Sequence, residues 1–363
     1  MRLSALLIAA ILTFGCTKDS SPVWLGTAGP WDQGYGQMNK RGIDLAVDEI
    51  NAKGGIQGRP LRLVSRNDEG DGVRATSIAS DFYSNPQILA VVGHVTSGAM
   101  VAAARIYDQG LPAVATTAST PDLSGMSPYV FRIISSDSSN GIDLARFATR
   151  RGFKRVSVLY ENNAYGRGLT DAFSRAFGAI VSSDPIPAEA SADFEPYIAY
   201  LQTQRPDLVF VAGTEGSGKA ILREARRRGL QTAFIGGDGW TGVVADSAAA
   251  EGVFVGAPFT ARDERPEAQR FVRAFRERYH VEPDGNAALA YDATMVLARA
   301  IEQAGASRQA IRDWLAALGP ETAFPGATGP IRFLASGDVA DKGIVVTQIR
   351  HGVLVPASPD GRS

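Results

Sequence analysis

Gly213-Thr214-Glu215-Gly216-Ser217-Gly218-Lys219-Ala220 comes close to a phosphate-cradling loop, in which backbone N–H groups and a lysine hold the phosphates of a nucleotide. The residue after the lysine is Ala220, where a Ser or Thr hydroxyl is needed to hold Mg²⁺. Nucleotide hydrolysis is therefore not expected, and the segment reads as a glycine-rich loop between a strand and a helix. Asn67-Asp68-Glu69-Gly70-Asp71-Gly72 approaches a calcium loop, but the twelfth position counted from Asn67 is Ile78, not a bidentate Glu. It reads as a strand-to-helix turn with acidic residues at a helix N-terminus. The three histidines, His94, His280 and His351, are widely scattered, and Cys16 is the only cysteine. That distribution argues against a zinc site and excludes an intrachain disulfide. No histidine neighbours a candidate serine, and no Gly-x-Ser-x-Gly elbow is present. The expectation is a protein with no metal, no cofactor and no enzymatic activity.

Cys16 belongs to a different chemistry. Arg2 supplies a positive end, Leu3 to Phe14 form an apolar run, and Gly15-Cys16 is followed by polar Thr17, Lys18 and Asp19. A run of roughly a dozen residues suits an export signal and is too short to span a bilayer. The small residue before a cysteine resembles the bacterial lipobox, in which the cysteine is acylated and becomes the mature N-terminus. Thr13 stands where the lipobox prefers an aliphatic residue, and Phe14 where it prefers a small one. Ordinary secretion with an incidental cysteine is the other reading. A signal peptide over 1–15 and a lipoprotein linker over 16–23 are expected, which places the protein in the periplasm or at the cell surface.

The elements that follow are short apolar runs alternating with helix-like stretches. Strands are expected at Val23–Thr27, Leu61–Ser65, Ile88–Gly93, Ala113–Thr116, Val156–Tyr160, Leu208–Ala212, Ala233–Gly236 and Gly252–Val255. Between them, Arg41–Lys53, Arg74–Tyr83, Ala99–Gln109, Ile142–Arg151, Leu169–Phe177 and Lys219–Arg228 carry apolar residues at three- and four-residue spacing, the mark of helices with one buried face. Such alternation predicts an α/β fold of parallel sheets covered by helices on both faces. It runs twice, breaking at the polar stretch Ser135–Asn140. Helical Pro266–Tyr279, Ala287–Ala304 and Arg308–Leu318 come next, and then strand-like Ile331–Leu334, Ile344–Arg350 and Val353–Pro356, the last two joined at His351-Gly352. The sequence contains no recognisable repeat. In open parallel sheets ligands sit beyond the C-terminal strand ends, where helix N-termini present N–H groups and positive dipole ends. Two such sheets facing across a cleft would enclose a small anionic or zwitterionic ligand.

Composition narrows the partners. The formal net charge is −1 with arginines spread along the chain, so there is no basic footprint for nucleic acid. No segment after the signal approaches eighteen uninterrupted apolar residues. The length after the signal suits two domains, each able to bury its own core.

Gly29-Pro30 with Tyr35-Gly36, and then the run from Gly42-Ile43-Asp44 through Asn51-Ala52-Lys53-Gly54-Gly55-Ile56-Gln57-Gly58, resembles the opening of the leucine/isoleucine/valine-binding protein family. Val92-Gly93-His94 with Ser97, Ile106-Tyr107 and Pro121-Asp122-Leu123 resemble that family in the same order. So do Tyr160-Glu161-Asn162, Tyr165-Gly166-Arg167-Gly168 and Leu222-Arg223-Glu224-Ala225-Arg226 ahead of Gly229. The resemblance implies a type I periplasmic binding protein, with two Rossmann-like lobes joined by three crossovers near Ser135, Thr260 and Phe333 that close on ligand by hinge motion. The N-terminal lobe would comprise 24–135 plus 261–332, and the C-terminal lobe 136–260 plus 333–363.

Carried over by position, the resemblance implies that Ser97 meets a ligand carboxylate through its hydroxyl and N–H. Thr117 would offer a backbone carbonyl to the ammonium, and Ser119 a hydroxyl and an N–H. Tyr165 would close over the ligand from the second lobe, and Asp238 would face the ammonium. Trp31, Tyr35 and Trp240 are candidates for the side-chain pocket. Thr214 stands where branched-chain binders hold a tyrosine, so branched-chain specificity does not follow. The function implied is a monomeric binding subunit of an ABC importer that captures a small polar metabolite, an amino acid first of all, and works with permease subunits in the membrane. A ligand-sensing regulatory protein of the same fold, with an amide or aromatic acid as ligand, is the alternative.

Overall fold

The computed structural model describes residues 21–358. Cys16, the expected signal segment 1–15 and the linker up to residue 20 lie outside the described residues.

The first sheet contains β1 (Val23–Gly29), β2 (Leu61–Asn67), β3 (Ile88–Gly93), β4 (Ala113–Ala115) and β5 (Val130–Arg132), all parallel, in the order β2-β1-β3-β4-β5. Every residue of β3 is buried, as a strand covered on both faces requires. Its connecting helices are α1 (Gly34–Ala52), α2 (Gly72–Ser84) and α3 (Ser97–Tyr107). The acidic turn before α2 caps it, since Asp71 accepts from the Arg74 N–H.

After β5 the chain crosses to the second lobe through α4 (Asp137–Arg150). There β6 (Val156–Glu161), β7 (Ile180–Ile186), β8 (Leu208–Ala212), β9 (Ala233–Gly236) and β10 (Phe254–Ala257) run parallel in the order β7-β6-β8-β9-β10. In chain order this is the arrangement of the first sheet repeated, although the sequence contains no repeat. The helices of this lobe are α5 (Ala164–Phe177), α6 (Glu195–Gln204), α7 (Glu215–Arg227) and α8 (Ser247–Ala250). Strand β7 and helix α6 are absent from the sequence expectations. The strand is an edge with exposed positions and Pro185, so its residues lack a clean apolar alternation.

Helices α9 (Pro266–Tyr279), α10 (Gly285–Ala304) and α11 (Arg308–Ala316) follow. Leu289, Val296, Leu297 and Ile301 of α10 share one core with Val23, Leu25 and Val92 of the first sheet. A small antiparallel pair, β11 (Phe324–Gly326) and β12 (Gly329–Ile331), comes next. Finally β13 (Val345–Arg350) and β14 (Val353–Pro356) add antiparallel strands to the second sheet. Their hairpin turns at His351 and Gly352, whose φ values of 51° and 72° both suit a tight I′ connection.

The last crossover falls later than Phe333. That ring packs on Phe131 with centroids 4.9 Å apart, and Val339 belongs to the same first-lobe core. The Leu334 N–H donates to the Asp338 carbonyl, and Gly337, at φ 79°, lets the chain fold back in this turn. The expected strand Ile331–Leu334 therefore stops at Ile331. Ile344 and Val346 are the first of these residues to join the second lobe's core.

Candidate functional site

A sheet of order second-first-third-fourth-fifth has its switch point between the first and third strands, and ligands bind beyond the strand ends there. The two switch points lie between β1 and β3 and between β6 and β8. Loops from all four strands line a single cavity of about 690 Å³, with Gln33 and Tyr35 after β1, Thr96 to Gly98 after β3, Asn163 and Tyr165 after β6, and Thr214 after β8. The cavity therefore lies between the lobes.

The first-lobe wall centres on the start of α3. No side chain among the described residues caps this helix at Thr96, so its first N–H groups face the cavity as donors at the positive end of the helix dipole. Ser97 lines the cavity, and its hydroxyl accepts from the Thr120 N–H at 3.2 Å. Thr117 also lines it, with its hydroxyl donating to the Val95 carbonyl at 2.9 Å.

The second-lobe wall is acidic. Tyr165 donates from its hydroxyl to Asp238 Oδ1 at 3.0 Å and accepts from the Gly239 N–H at 3.1 Å. Burial pushes the Asp238 carboxyl up to about 6, against the pull of the Tyr165 and backbone hydrogen bonds. Burial, and after it the charge of Asp238, hold the Tyr165 hydroxyl well above its ordinary range, so it remains a donor. No cationic side chain among the described residues pairs with Asp238.

The expected site residues divide between the cavity and the interior. Ser97, Thr117, Tyr35, Tyr165, Thr214 and Asp238 all line the cavity. Ser119 does not. It is fully buried, and its hydroxyl donates to Asp137 Oδ2 at 3.0 Å, while its carbonyl accepts from the Asp137 and Arg132 N–H groups. Trp240 is likewise fully buried, in the second lobe's core. A Cβ added to Gly236 would lie 2.3 Å from its ring, so that glycine exists to let the indole pack under the floor. Trp31 packs against the first-lobe core beside Gly29 and Val95. Both tryptophans answer to core packing and not to the cavity wall.

Several residues that order the site were given no site role from the sequence, although Glu161, His94, Asp68 and Tyr107 lie in stretches quoted there. Glu161, 1% exposed, accepts from the Thr214 N–H, the Thr214 and Ser217 hydroxyls and the Asn163 amide at 2.7–3.0 Å. This carboxylate occupies the place where the phosphate-loop reading of Gly213–Ala220 would put a phosphate. Asp137 is buried beside Ser119, and burial and the charge of Asp238 push it well above the usual carboxylate range. Behind the first wall, His94 joins Asp68 at 2.6 Å through Nδ1 and Tyr107 at 2.9 Å through Nε2, with all three side chains buried. Buried polar residues far apart in sequence leave no periodic signal.

The sequence profile of the periplasmic binding protein family matches residues 24–353. The leucine-specific-binding protein of Salmonella typhimurium is 30% identical over 348 residues, covering 92% of each chain. The leucine-, isoleucine-, valine-, threonine- and alanine-binding protein of Pseudomonas aeruginosa is 28% identical over 93% of this chain and 91% of its own. Among solved structures, an ABC transporter substrate-binding protein from Desulfitobacterium hafniense in complex with Leu superimposes with a TM-score of 0.79. It is 32% identical and covers 93% of this chain and all of that one.

Proposed function

Because the chain belongs to the periplasmic binding protein family, we propose that it captures an α-amino acid between its lobes and delivers it to the membrane subunits of an ABC importer. One observation carries the choice of ligand. An uncapped helix N-terminus on the first wall stands across the cavity from the buried carboxylate Asp238 on the second. The first is a place for a carboxylate and the second for an ammonium. In this reading Ser97, the α3 N–H groups and Thr117 hold one end, Asp238 and Tyr165 hold the other, and Tyr35 and Thr214 stand beside the ligand. Both walls come from one chain, so a monomer suffices for binding. Relatives named for leucine, isoleucine and valine binding support the amino-acid class. Calorimetric titration with a panel of free amino acids tests the proposal, and the absence of binding by any of them overturns it.

The ionisation of Asp238 gives a second test. Its carboxyl is raised to about 6, and the ammonium of an amino acid is favoured by the charged form. As pH falls through 6 the group takes up a proton, so affinity is expected to fall, approaching about tenfold per pH unit below that point. Calorimetry between pH 7.5 and about 4.5 reads this directly. A flat profile removes Asp238 from the ammonium site.

Ligand contacts drawn from both lobes favour the closed form, because only there are all of them made together. The lobes already touch across the cleft, where the Asn286 amide donates to the Thr241 hydroxyl at 3.2 Å. Small-angle scattering is expected to show a smaller radius of gyration at saturating ligand. An unchanged radius argues against closure.

We also propose anchoring through acylated Cys16, on the strength of the apolar run ending at Gly15-Cys16. Stable attachment needs more than one acyl chain. Mass spectrometry of the native N-terminus is expected to find a lipidated cysteine, and an unmodified terminus at another residue overturns the proposal.

A further inference from the structure

Resting on the amino-acid reading of the cleft, we infer that the ligand's side chain is a hydrogen-bond donor, neutral or cationic, and not a branched aliphatic group. Beyond the two anchoring ends, the polar part of the wall is Gln33, Glu69, Asn163, Thr214 and Asn286, and its apolar part is the rings of Tyr35 and Tyr165 with the small side chains of Val95, Ala188 and Ala190. No Leu, Ile, Met, Phe or Trp among the described residues lines it. Of the two tryptophans that would have made an apolar subsite, Trp240 lies in the second lobe's core against Gly236, and Trp31, partly buried, packs on the first lobe's core beside Gly29.

The charge of the lining points the same way. Glu69, Glu161, Glu189 and Asp238 face the cavity, and no Lys, Arg or His among the described residues lines it. Glu161 is committed to its own lobe through four hydrogen bonds, and Glu69 pairs with Arg74 at 2.8 Å. Their summed field still disfavours a second negative charge on the ligand. A branched aliphatic side chain would strip water from these groups and return no hydrogen bond, and buried polar groups without partners weaken binding. An amide, hydroxyl, ammonium or guanidinium side chain supplies the missing donors. The α-carboxylate and α-ammonium sites do not discriminate among amino acids, so this part of the wall sets the preference.

The test is calorimetric titration of the full chain with glutamine, asparagine, threonine, lysine and arginine against leucine, isoleucine, valine and glutamate. At least one of the first group is expected to bind about tenfold or more tightly than every member of the second. Gln33→Leu is the accompanying variant. The Gln33 side chain caps nothing on α1, so the fold should persist while leucine affinity rises and the gap narrows. Leucine, isoleucine or valine binding tighter than every polar amino acid overturns the inference and leaves the amino-acid reading standing, as does glutamate binding as tightly as glutamine. If none of the amino acids binds, the amino-acid reading itself fails and the inference falls with it.

Discussion

Asp238→Asn is expected to weaken ligand binding about ten- to a hundredfold, and to raise the unfolding temperature of the ligand-free protein at neutral pH. The two effects share one cause. Asp238 is a carboxylate taken out of water with only a tyrosine hydroxyl and backbone N–H groups as hydrogen-bond partners. Its pKa of about 6 in the folded chain lies above the ordinary value of 3.8, so folding favours the protonated form. Its contribution to stability is therefore fully present below about 3.8 and lost as pH rises through 6, leaving a penalty at pH 7. An amide of the same shape removes that penalty, worth a rise of a few degrees in the ligand-free protein. The amide also removes the charge that meets the ammonium, and a charge-assisted hydrogen bond in a closed cleft is worth roughly 1.5–3 kcal/mol. At about 1.4 kcal/mol per tenfold this gives the stated loss of affinity. Thermal unfolding and calorimetry on the same preparation check both. Unchanged affinity assigns the ammonium elsewhere in the cleft.

Arg132→Met is expected to lower stability and affinity together, the opposite pairing. The Arg132 guanidinium is buried, and its Nη1 donates to the Ser119 and Thr120 carbonyls at 2.9 and 2.7 Å. Nη2 donates to the Ser124 hydroxyl at 2.7 Å and pairs with Asp338 at 2.5 Å. One side chain thus holds the loop after β4 to the turn that carries Asp338. The same loop sends the Thr120 N–H to the Ser97 hydroxyl in the cleft wall. Methionine fills the volume but removes the charged donor, leaving the Ser119 and Thr120 carbonyls to the Asp137 and Leu123 N–H groups and Asp338 to the Ser124 and Ser336 hydroxyls, a loss of about 1–3 kcal/mol once the 20% exposure of Asp338 is allowed for. The unfolding temperature should drop by several degrees, with ligand affinity falling as the loop loosens. Arg132→Lys should recover little, because one ammonium cannot span the fork. A methionine variant that unfolds at the parental temperature would falsify this role.

Most strands of the two sheets were legible because their signals are local, and the edge strand β7, with its mixed exposure, was not. Ile88–Gly93 and Leu208–Ala212 are unbroken apolar runs that bury on both faces, and they stand where the sequence places them. Helix faces, the cap at Asp71 and the turn at His351-Gly352 are likewise set by near neighbours in the chain. Glycine-rich strand-to-helix loops also mark in the sequence where a ligand could approach, whereas Ser97, Thr117, Tyr165 and Asp238 were singled out by the resemblance to the leucine/isoleucine/valine-binding proteins.

What only the tertiary structure decided is which polar and aromatic groups have water or ligand beside them. Ser97 and Ser119 are the same residue type in similar loops. Asp137 lies 18 positions from Ser119, and packing brings it within hydrogen-bond reach, which withdraws that hydroxyl from the cavity. Glu161 meets Thr214 and Ser217 across 53 and 56 positions, and so an apparent phosphate loop is filled by the protein's own carboxylate. Trp240 lies under the cleft floor because Gly236 leaves room for its ring. Apolar periodicity reports which face of an element turns inward, an average over many residues. The burial of a single hydroxyl, carboxylate or indole depends on the few atoms opposite it, and those come from distant parts of the chain.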